Sequence, residues 1–405
     1  MVLLMDWQTP EDTVPSAFIT EANARSVIGK PPATGAWREG DQPGDRRFIG
    51  IGALPLEQGA SLPAVRIAYE TWGELDANAG NAVLVLHALT GDSHVIGTAG
   101  PGHPTAGWWN DTVGPGKAID TDRWFVVAPN MLGGCQGSTG PASTSPDGVE
   151  WGSRFPHLTI RDQVAAQVAF AKALGIDHWH AIVGGSMGGM QALEWGIGHP
   201  DRVGRLAILA APAISSADQI ALNSVQIEAV RMDPAFADGD YYEAGEGDGP
   251  YRGLALARRM ALLNYRSPGE LNDRFERSWQ SGLSPLGGGG RYAVESYLDF
   301  HGNKFTRRFD ANSYITLVEA MNSHDVGRDR GGVVAALASV TATTLVLGID
   351  SDRLFPVGDQ QLIARHLPHN LDGASATVIG SAFGHDGFLI ETEAVGPHLE
   401  RLLAS

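Results

Sequence analysis

Cysteine and long apolar runs are what this chain of 405 residues has least of. Its single cysteine, Cys135, excludes an intramolecular disulfide framework and is typical of a reducing compartment. No apolar run approaches the roughly 20 residues that a membrane-spanning helix needs. The first residues also lack the basic and apolar regions of a signal peptide. We therefore predict a cytoplasmic protein that does not bind a membrane.

Positive charge is also scarce. The 29 lysines and arginines are outnumbered by 46 aspartates and glutamates, which gives a formal net charge of −17 at pH 7. Such a surface repels polyanions, so we expect no nucleic acid as a partner. There is no Cys/His cluster and no H-E-x-x-H pattern, so no metal is predicted. Cys135 lies in a Gly/Ser loop without a strand-turn-helix context, which favours a structural role over a nucleophilic one.

Strand patterns alternate with helix patterns along much of the chain. The apolar content of 43% is ample for a core. Apolar residues recur at helical spacing between Thr159, a candidate N-cap, and Gly175, a candidate stop. This alternation predicts an α/β fold with a mostly parallel, doubly wound sheet. The predicted strands cover residues 65–71 (antiparallel), 82–86, 124–128, 178–183, 206–210, 343–348 and 376–379.

The pattern changes from about residue 212 to residue 335, where strand signals are scarce and helices dominate. We interpret this block, 212–335, as a helical cap (a lid) inserted in a core of residues 45–211 and 336–405. Residues 1–44 are polar and punctuated by proline and glycine, which indicates an N-terminal arm that is mobile or packs on a neighbour. The helices predicted in the cap cover residues 215–232, 253–265, 271–279 and 312–321.

The segment Gly184–Gly188 fits G-x-S-x-G, and its context strengthens the match. An apolar strand candidate precedes it and a helix candidate follows it, as in a nucleophile elbow. Glycines suit this crowded turn because a missing Cβ lets neighbouring backbone approach closely. The pattern therefore predicts Ser186 as the nucleophile. It also predicts the Met187 N–H as an oxyanion donor at a helix N-terminus.

A serine nucleophile needs a base, and the base needs a group that orients it. In enzymes with such an elbow the chain order is Ser, then Asp or Glu, then His. Asp350 and Asp352 both follow the strand candidate 343–348, and spacing alone does not choose between them. After the last strand candidate comes His385, flanked by Gly384 and Asp386 in a loop, which we predict to be the general base.

The second oxyanion donor is expected in the loop after strand candidate 82–86. That loop begins at His87, and the Leu89 N–H is our candidate donor, paired with that of Met187. Two fixed donors of this kind can each lower the barrier by about 3 kcal/mol.

Seven segments of the chain resemble motifs of the homoserine O-acyltransferases, the MetX branch of the α/β-hydrolase superfamily. The likeness extends over about residues 47–403 and is strongest to the actinobacterial homoserine O-acetyltransferases. It implies an α/β-hydrolase fold. The matching segments are Leu86–His94, Asn130–Pro141, Trp151–Pro156, Gly184–Gly189, Asn322–Arg328, Ser351–Pro356 and Phe383–Leu389.

The resemblance implies an activity and completes the site. It favours Asp352 over Asp350 as the catalytic acid. It implies that Arg258 binds the carboxylate of L-homoserine and that Asp386 binds its ammonium. Arginine suits the first role because its planar fork meets a carboxylate with two bonds. Arg259 is adjacent but points about 100° away around a regular helix.

The resemblance further implies acetyl-CoA as a co-substrate with no permanently bound cofactor, a ping-pong reaction in methionine biosynthesis, and a homodimer through the cap. Coenzyme A is anionic, so its site would need local positive potential within a chain of net charge −17. Relatives that use succinyl-CoA or serine leave a homoserine or serine O-succinyltransferase as one alternative. A carboxylesterase-type hydrolase is the other, because the same triad serves both reactions.

Overall fold

A computed structural model of the protein describes residues 27–405. The bounds of its ten strands are β1 (Arg47–Pro55), β2 (Ser61–Trp72), β3 (Ala82–Leu86), β4 (Val113–Gly114), β5 (Ile119–Asp120), β6 (Phe125–Pro129), β7 (Ala181–Gly185), β8 (Arg205–Leu209), β9 (Thr343–Ile349) and β10 (Thr377–Ile379).

Eight of these strands form one sheet in the order β1-β2-β6-β3-β7-β8-β9-β10, and β4 pairs with β5 separately. Strands β1 and β2 are antiparallel to each other, and β2 is antiparallel to β6. From β6 to β10 every neighbouring pair is parallel. The predicted class, a mostly parallel α/β sheet, is confirmed. Strand β1 was missed.

The α-helices of the described chain lie between and after these strands. Their bounds are α1 (Ile160–Ala173), α2 (Met187–Gly198), α3 (Ala217–Arg231), α4 (Tyr251–Tyr265), α5 (Pro268–Phe275), α6 (Ala293–Phe305), α7 (Ala311–Asn322), α8 (Val333–Ala338), α9 (Val357–His366), α10 (Gly387–Ile390) and α11 (Thr392–Ala404). None of the helices in residues 27–405 combines the length and apolar character that a membrane crossing requires.

The central strands are buried on both faces, which explains their continuous apolar runs. In β3, Leu84 and Leu86 belong to the apolar cluster on one face of the sheet, and Val83 and Val85 belong to the cluster on the other. Helix α11 packs on this second face through apolar residues such as Leu399. Buried backbone on both sides leaves the strand ends as the places where polar chemistry can be built.

Local signals set several helix boundaries. Helix α1 begins after Thr159, whose hydroxyl accepts from the N–H of Asp162 while the Asp162 carboxylate accepts from the N–H of Thr159. This capping box agrees with the predicted N-cap. Ser216 caps α3 in the same way with Gln219. Each cap satisfies backbone donors that the helix itself leaves unpaired.

Residues between β8 and β9 form a mainly helical region, α3 to α8, with no strand of the large sheet. The four helices predicted there correspond to α3, α4, α5 and α7, whereas α6 and α8 were not predicted. We keep the name cap for residues 212–335. Whether these bounds delimit a domain stays a prediction.

The predicted N-terminal arm is described only from residue 27. From residue 31 onward it lies against its own chain rather than extending freely: the Gly35 N–H donates to the Phe309 carbonyl, and the Trp37 N–H donates to the Cys135 carbonyl. The Thr34 hydroxyl also donates to Asp310, at 2.8 Å. The described part of the arm therefore joins cap and core, whereas residues 1–26 lie outside the described chain.

Candidate active site

Ser186 occupies the tight turn between β7 and α2. Its backbone has φ 57° and ψ −124°, a conformation that non-glycine residues rarely adopt. The glycines around it are needed for close approach. A Cβ at Gly184 would lie 2.1 Å from the Gly188 carbonyl oxygen, and a Cβ at Gly188 would lie 2.1 Å from the Leu86 carbonyl oxygen. The predicted elbow is therefore present, and its packing tolerates no side chain at either glycine.

Asp352 and His385 form the second part of the site. The Asp352 Oδ2 atom lies 2.6 Å from His385 Nδ1, and Oδ1 accepts from the N–H groups of Leu354 and Phe355 at 2.8 and 3.0 Å. Asp350 instead accepts from the Ser381 N–H. The structure thus separates the two aspartates that spacing left open, and Asp352 is the one paired with the histidine.

His385 is buried with its Nε2 atom directed away from Asp352. This Nε2 has no hydrogen-bond partner within residues 27–405, so the Ser186–His385 hydrogen bond is not formed here. Such bonds are often long until a substrate is bound. Phe388 connects Ser186 and His385 at this edge of the sheet. Its ring centre lies 5.6 Å from that of His385, and a Cβ at Gly185, next to Ser186, would lie 2.2 Å from the Phe388 ring.

The environment of His385 tunes its basicity. Burial disfavours the imidazolium, but the charge and hydrogen bond of Asp352 more than offset burial, so the pKa of His385 is raised above its ordinary value. A raised pKa makes the ring a stronger base. As the pH falls, the imidazole therefore becomes protonated, and stops accepting protons, at a higher pH than an isolated histidine would.

Two buried backbone N–H groups are the predicted oxyanion donors. Met187 begins α2, where the first N–H groups have no acceptor inside the helix. Leu89 lies in the loop after β3. Within residues 27–405 neither N–H donates to a protein acceptor, although both residues are buried. Buried N–H groups are normally paired, so these two unpaired donors are suited to a negatively charged oxygen that forms during reaction.

Arg258 lies on α4 of the cap and faces the site. Its guanidinium carbon is 5.4 Å from the Tyr265 ring centre and 5.0 Å from that of Phe305, and Nη1 lies 3.4 Å from the Thr90 hydroxyl. The Tyr265 ring is in turn 5.8 Å from the His385 ring. Arg258 therefore lies one aromatic ring away from the predicted base. Arg259 pairs with Asp299 at 3.0 Å instead.

Asp386 has a partner that sequence reasoning missed. Arg266, which ends α4, places Nε 3.5 Å from Asp386 Oδ2 and Nη1 3.5 Å from Glu270 Oε1. Burial opposes the charge of Arg266, yet Asp386 and other anionic neighbours raise its pKa. An ammonium bound at Asp386 would share the carboxylate with this guanidinium. No sequence signal indicates the pair, because it joins two segments 120 residues apart.

Positive charge collects in the cap against the overall negative balance. Burial, together with four neighbouring cations, lowers the pKa of His301 to about 3. We call these the cap cations: Arg258, Arg266, Arg274 and Lys304. Because these like charges lie close together around His301, this part of the cap carries positive potential despite the net charge of −17.

One group of possible metal ligands lies elsewhere. One atom from each of Asp45, Glu70, His94 and His103 lies within 4.8 Å of the others. Some of these atoms are already engaged: Glu70 pairs with His94 Nδ1 at 2.9 Å, and the Asp45 N–H donates to His103 Nε2 at 2.8 Å. A guanidinium, that of Arg46, is close enough to lower the pKa of His103 further after burial.

Cys135 is buried, and burial raises the pKa of its thiol to about 12. Its Sγ faces the Arg308 carbonyl at 3.8 Å. A thiol with so high a pKa carries almost no nucleophilic thiolate. The structural role that the sequence analysis favoured agrees with this environment.

The fold and the site together define the class: an eight-stranded α/β sheet with a serine elbow, a paired Asp-His and a cap. The family model for the alpha/beta hydrolase fold matches residues 81–392. Among similar solved structures, homoserine O-acetyltransferase from Bacillus anthracis has a TM-score of 0.80 and 25% identity, covering 89% of this chain and 97% of that one. Esterase E22 has a TM-score of 0.78 and 26% identity, covering 88% and 99%.

Sequence relatives are closer than these structures. Homoserine O-acetyltransferase of Clavibacter michiganensis is 74% identical over 95% of this chain and 99% of its own. The enzyme of that name from Leifsonia xyli is 70% identical over 99% of this chain and 100% of its own. This chain belongs to the homoserine O-acetyltransferase family, a family of acyltransferases with the α/β-hydrolase fold.

Proposed function

We propose that this chain is a homoserine O-acetyltransferase that moves the acetyl group of acetyl-CoA to the hydroxyl of L-homoserine. The observation that carries the proposal is identity of 70–74% to enzymes of that name over at least 95% of the chain. The site supports it, because a serine elbow beside a paired Asp-His provides a covalent acyl carrier.

In the first half-reaction His385 Nε2 takes the proton of the Ser186 hydroxyl, and Oγ attacks the thioester carbon of acetyl-CoA. The N–H groups of Leu89 and Met187 stabilise the oxyanion. The carbon–sulfur bond then breaks, His385 returns the proton to sulfur, and CoA leaves an acetylated Ser186. Asp352 holds the ring with Nδ1–H inward and stabilises the imidazolium while it exists.

In the second half-reaction homoserine replaces CoA. Its carboxylate binds Arg258 and its ammonium binds Asp386, because burying either charge without a partner would be costly. His385 takes the proton of the substrate hydroxyl, the new oxygen attacks the acetyl carbon, and Ser186 leaves with the proton. This sequence is ping-pong. By the family resemblance stated above, we expect the product, O-acetylhomoserine, to be used in methionine biosynthesis.

A hydrolase is the second candidate, because esterase E22 shares the fold at a TM-score of 0.78. Only the acceptor separates the two activities, since water or homoserine can attack the same acyl-serine. Arg258 and Asp386 favour the transferase: an esterase has no use for a clamp that matches an amino acid. The role proposed for Arg258 also favours acetyl-CoA over succinyl-CoA as the donor. A succinyl group carries an extra carboxylate, which would need a second cation besides the arginine that binds homoserine.

The test is a thiol-release assay on purified protein. Acetyl-CoA is supplied alone, with L-homoserine and with L-serine, and each reaction is repeated with succinyl-CoA. We expect fast CoA release only with acetyl-CoA plus homoserine, with parallel lines in initial-rate plots. Equal release without an acceptor would favour the hydrolase. Faster release with succinyl-CoA would favour the succinyltransferase.

We also propose a homodimer through the cap. The cap helices α3 and α4 leave several apolar side chains exposed to solvent, which in a monomer is unfavourable when they are contiguous. Light scattering on the wild-type chain and on V225E tests the idea: the substitution should shift a dimer to a monomer. The exposed apolar residues of these helices are Ile220, Val225, Leu256 and Leu263.

A further inference from the structure

His87 lies at the start of the loop that carries Leu89, and the proposed mechanism gives it no role. The side chain is buried and makes two short polar contacts. Its Nδ1 lies 2.7 Å from the Ala88 carbonyl oxygen, and its Nε2 lies 3.1 Å from the Met131 backbone nitrogen. Both partners belong to loops that follow strands of the central sheet, β3 and β6.

The partners determine where the ring carries its proton. A backbone N–H can only donate, so the Met131 N–H requires a lone pair on His87 Nε2. A carbonyl can only accept, so the Ala88 oxygen requires the hydrogen on Nδ1. Burial, the strongest influence, lowers the pKa of His87 and keeps the ring neutral. The neutral ring with hydrogen on Nδ1 is therefore the form that satisfies both contacts.

The Ala88 carbonyl shares a planar trans peptide with the Leu89 N–H. The two groups point in opposite directions, so whatever holds the carbonyl also aims the N–H. The oxygen accepts from His87 Nδ1 and from the Gly91 N–H, at 2.9 Å. A Cβ at Gly91 would lie 2.8 Å from His87 Cβ, so this turn packs directly on the histidine.

A second contact holds the same loop one residue further on. Both terminal nitrogens of Arg308 lie 2.8 Å from the Thr90 carbonyl oxygen. Two carbonyls, those of Ala88 and Thr90, are thus held from the protein side, while the Leu89 N–H between them has no acceptor among residues 27–405. That is the arrangement a preorganised oxyanion donor needs, because it must not reorient during the reaction.

We propose that His87 is a positioning residue of the oxyanion hole: by donating to the Ala88 carbonyl it points the Leu89 N–H at the oxyanion. The inference rests on the proposed acyl-serine chemistry but not on the identity of the acceptor. It concerns acylation of Ser186, which any acetyl donor can report.

Two substitutions separate the two contacts of the ring. In H87N the side-chain amide nitrogen can take the place of Nδ1 and still donate to Ala88, whereas the contact with Met131 is lost. In H87Q the amide oxygen can take the place of Nε2 and accept from Met131, whereas the donor to Ala88 is lost. The matched control is H180Q. His180 Nε2 also contacts a backbone carbonyl, that of Leu403 at 3.0 Å, but the residue lies just before β7, at the opposite end of this strand from the elbow.

The experiment measures acylation of Ser186 by p-nitrophenyl acetate in stopped flow, together with inhibition by a methyl trifluoromethyl ketone, which forms a tetrahedral oxyanion. Loss of one donor costs about 10²–10³-fold in rate, and a misaimed donor should cost part of that. We expect H87Q to acylate roughly 10–100-fold more slowly, with KM within threefold and with ketone affinity reduced in parallel. H87N should lose less than tenfold, and H180Q should match the wild type.

Equal losses in H87Q and H87N would overturn the proposal, as would slow acylation with undiminished ketone affinity. If H87Q does not fold, H87N alone decides: a loss of tenfold or more in a folded protein refutes the role. Failure of the proposed function is a separate outcome. A wild type that reacts with p-nitrophenyl acetate but never acylates homoserine would remove the transferase and leave this test intact.

Discussion

Substituting Arg258 should disable the second half-reaction and spare the first. The guanidinium is held over the rings of Tyr265 and Phe305, at 5.4 and 5.0 Å, so its fork is already oriented before substrate arrives. A carboxylate meeting that fork gains two charge-assisted hydrogen bonds, each contributing about 1.5–3 kcal/mol.

The size of the effect follows from what each variant keeps. R258M removes both bonds and the charge, so kcat/KM for homoserine should fall by about 3–4 kcal/mol, or roughly 10²–10³-fold. R258K keeps a charge but cannot form two parallel bonds. We expect about 1.5 kcal/mol, or roughly tenfold, for this variant. In both proteins the acetylation burst with acetyl-CoA alone should stay within about threefold of the wild type.

The adjacent arginine provides the control. Arg259 is on the same helix but pairs with Asp299 at 3.0 Å, so R259M changes the charge equally without touching the proposed clamp. Stopped-flow CoA release measures the burst, and steady-state rates at varied homoserine measure the acceptor step. If R258M lost the burst as strongly as the acceptor step, or if R259M weakened homoserine use as much, the assignment of Arg258 to the substrate carboxylate would be refuted.

Three further predictions concern the triad, the thiol and the elbow. Since the pKa of His385 is raised, wild-type kcat/KM should fall as the pH drops below a midpoint that lies above about 6.5. In D352N the pH profile should show this midpoint at lower pH, and kcat should fall by several orders of magnitude. With a pKa of about 12, only on the order of 10⁻⁴ of Cys135 is thiolate at pH 8, so native iodoacetamide labelling followed by mass spectrometry should be far slower than in urea. G188A should destabilise the fold by about 3 kcal/mol or more in urea unfolding, because its Cβ would lie 2.1 Å from the Leu86 oxygen, whereas G198A, with its nearest atom at 3.9 Å, should not.

The sequence predicted best those features that depend on local pattern. Strands β3 and β9 are continuous apolar runs, and the structure places them within one residue of the predicted bounds. Strand β1 was missed because it is a partly exposed edge strand with glycines at 50 and 52, where its register with β2 shifts. Local periodicity is weak in such a strand, since only one side of it is packed.

Helix α6 was missed for a different reason. It contains Gly302 near its end, which lowers helix propensity. In the structure a Cβ at that position would lie 2.9 Å from the Ala255 carbonyl oxygen, so the glycine permits close packing of α6 on α4. Gly302 thus disfavours the helix locally but is required by the close packing of α6 on α4, and a single sequence shows only the local effect.

The candidate site shows the same division. The order of Ser186, Asp352 and His385 is readable from motifs, but the pairing that separates Asp352 from Asp350 is a tertiary distance. Arg266 was not identified because nothing near it in sequence indicates Asp386. What the motifs could predict was the chemistry of single segments, whereas the contacts between segments had to come from the structure.

The contacts between segments also bear on why this site should transfer an acyl group rather than hydrolyse it. The loop of His385 packs directly on the end of helix α4: a Cβ at Gly384 would lie 2.5 Å from the Tyr265 carbonyl oxygen, and the Ser267 hydroxyl donates to the Ala382 carbonyl at 2.5 Å. The proposed base is therefore held by the end of the same cap helix, α4, that carries Arg258. We expect that a shift of the cap large enough to admit water would also displace His385, which would leave an open site poorly assembled. Coupling of this kind favours an acceptor that holds the cap in place while it reacts.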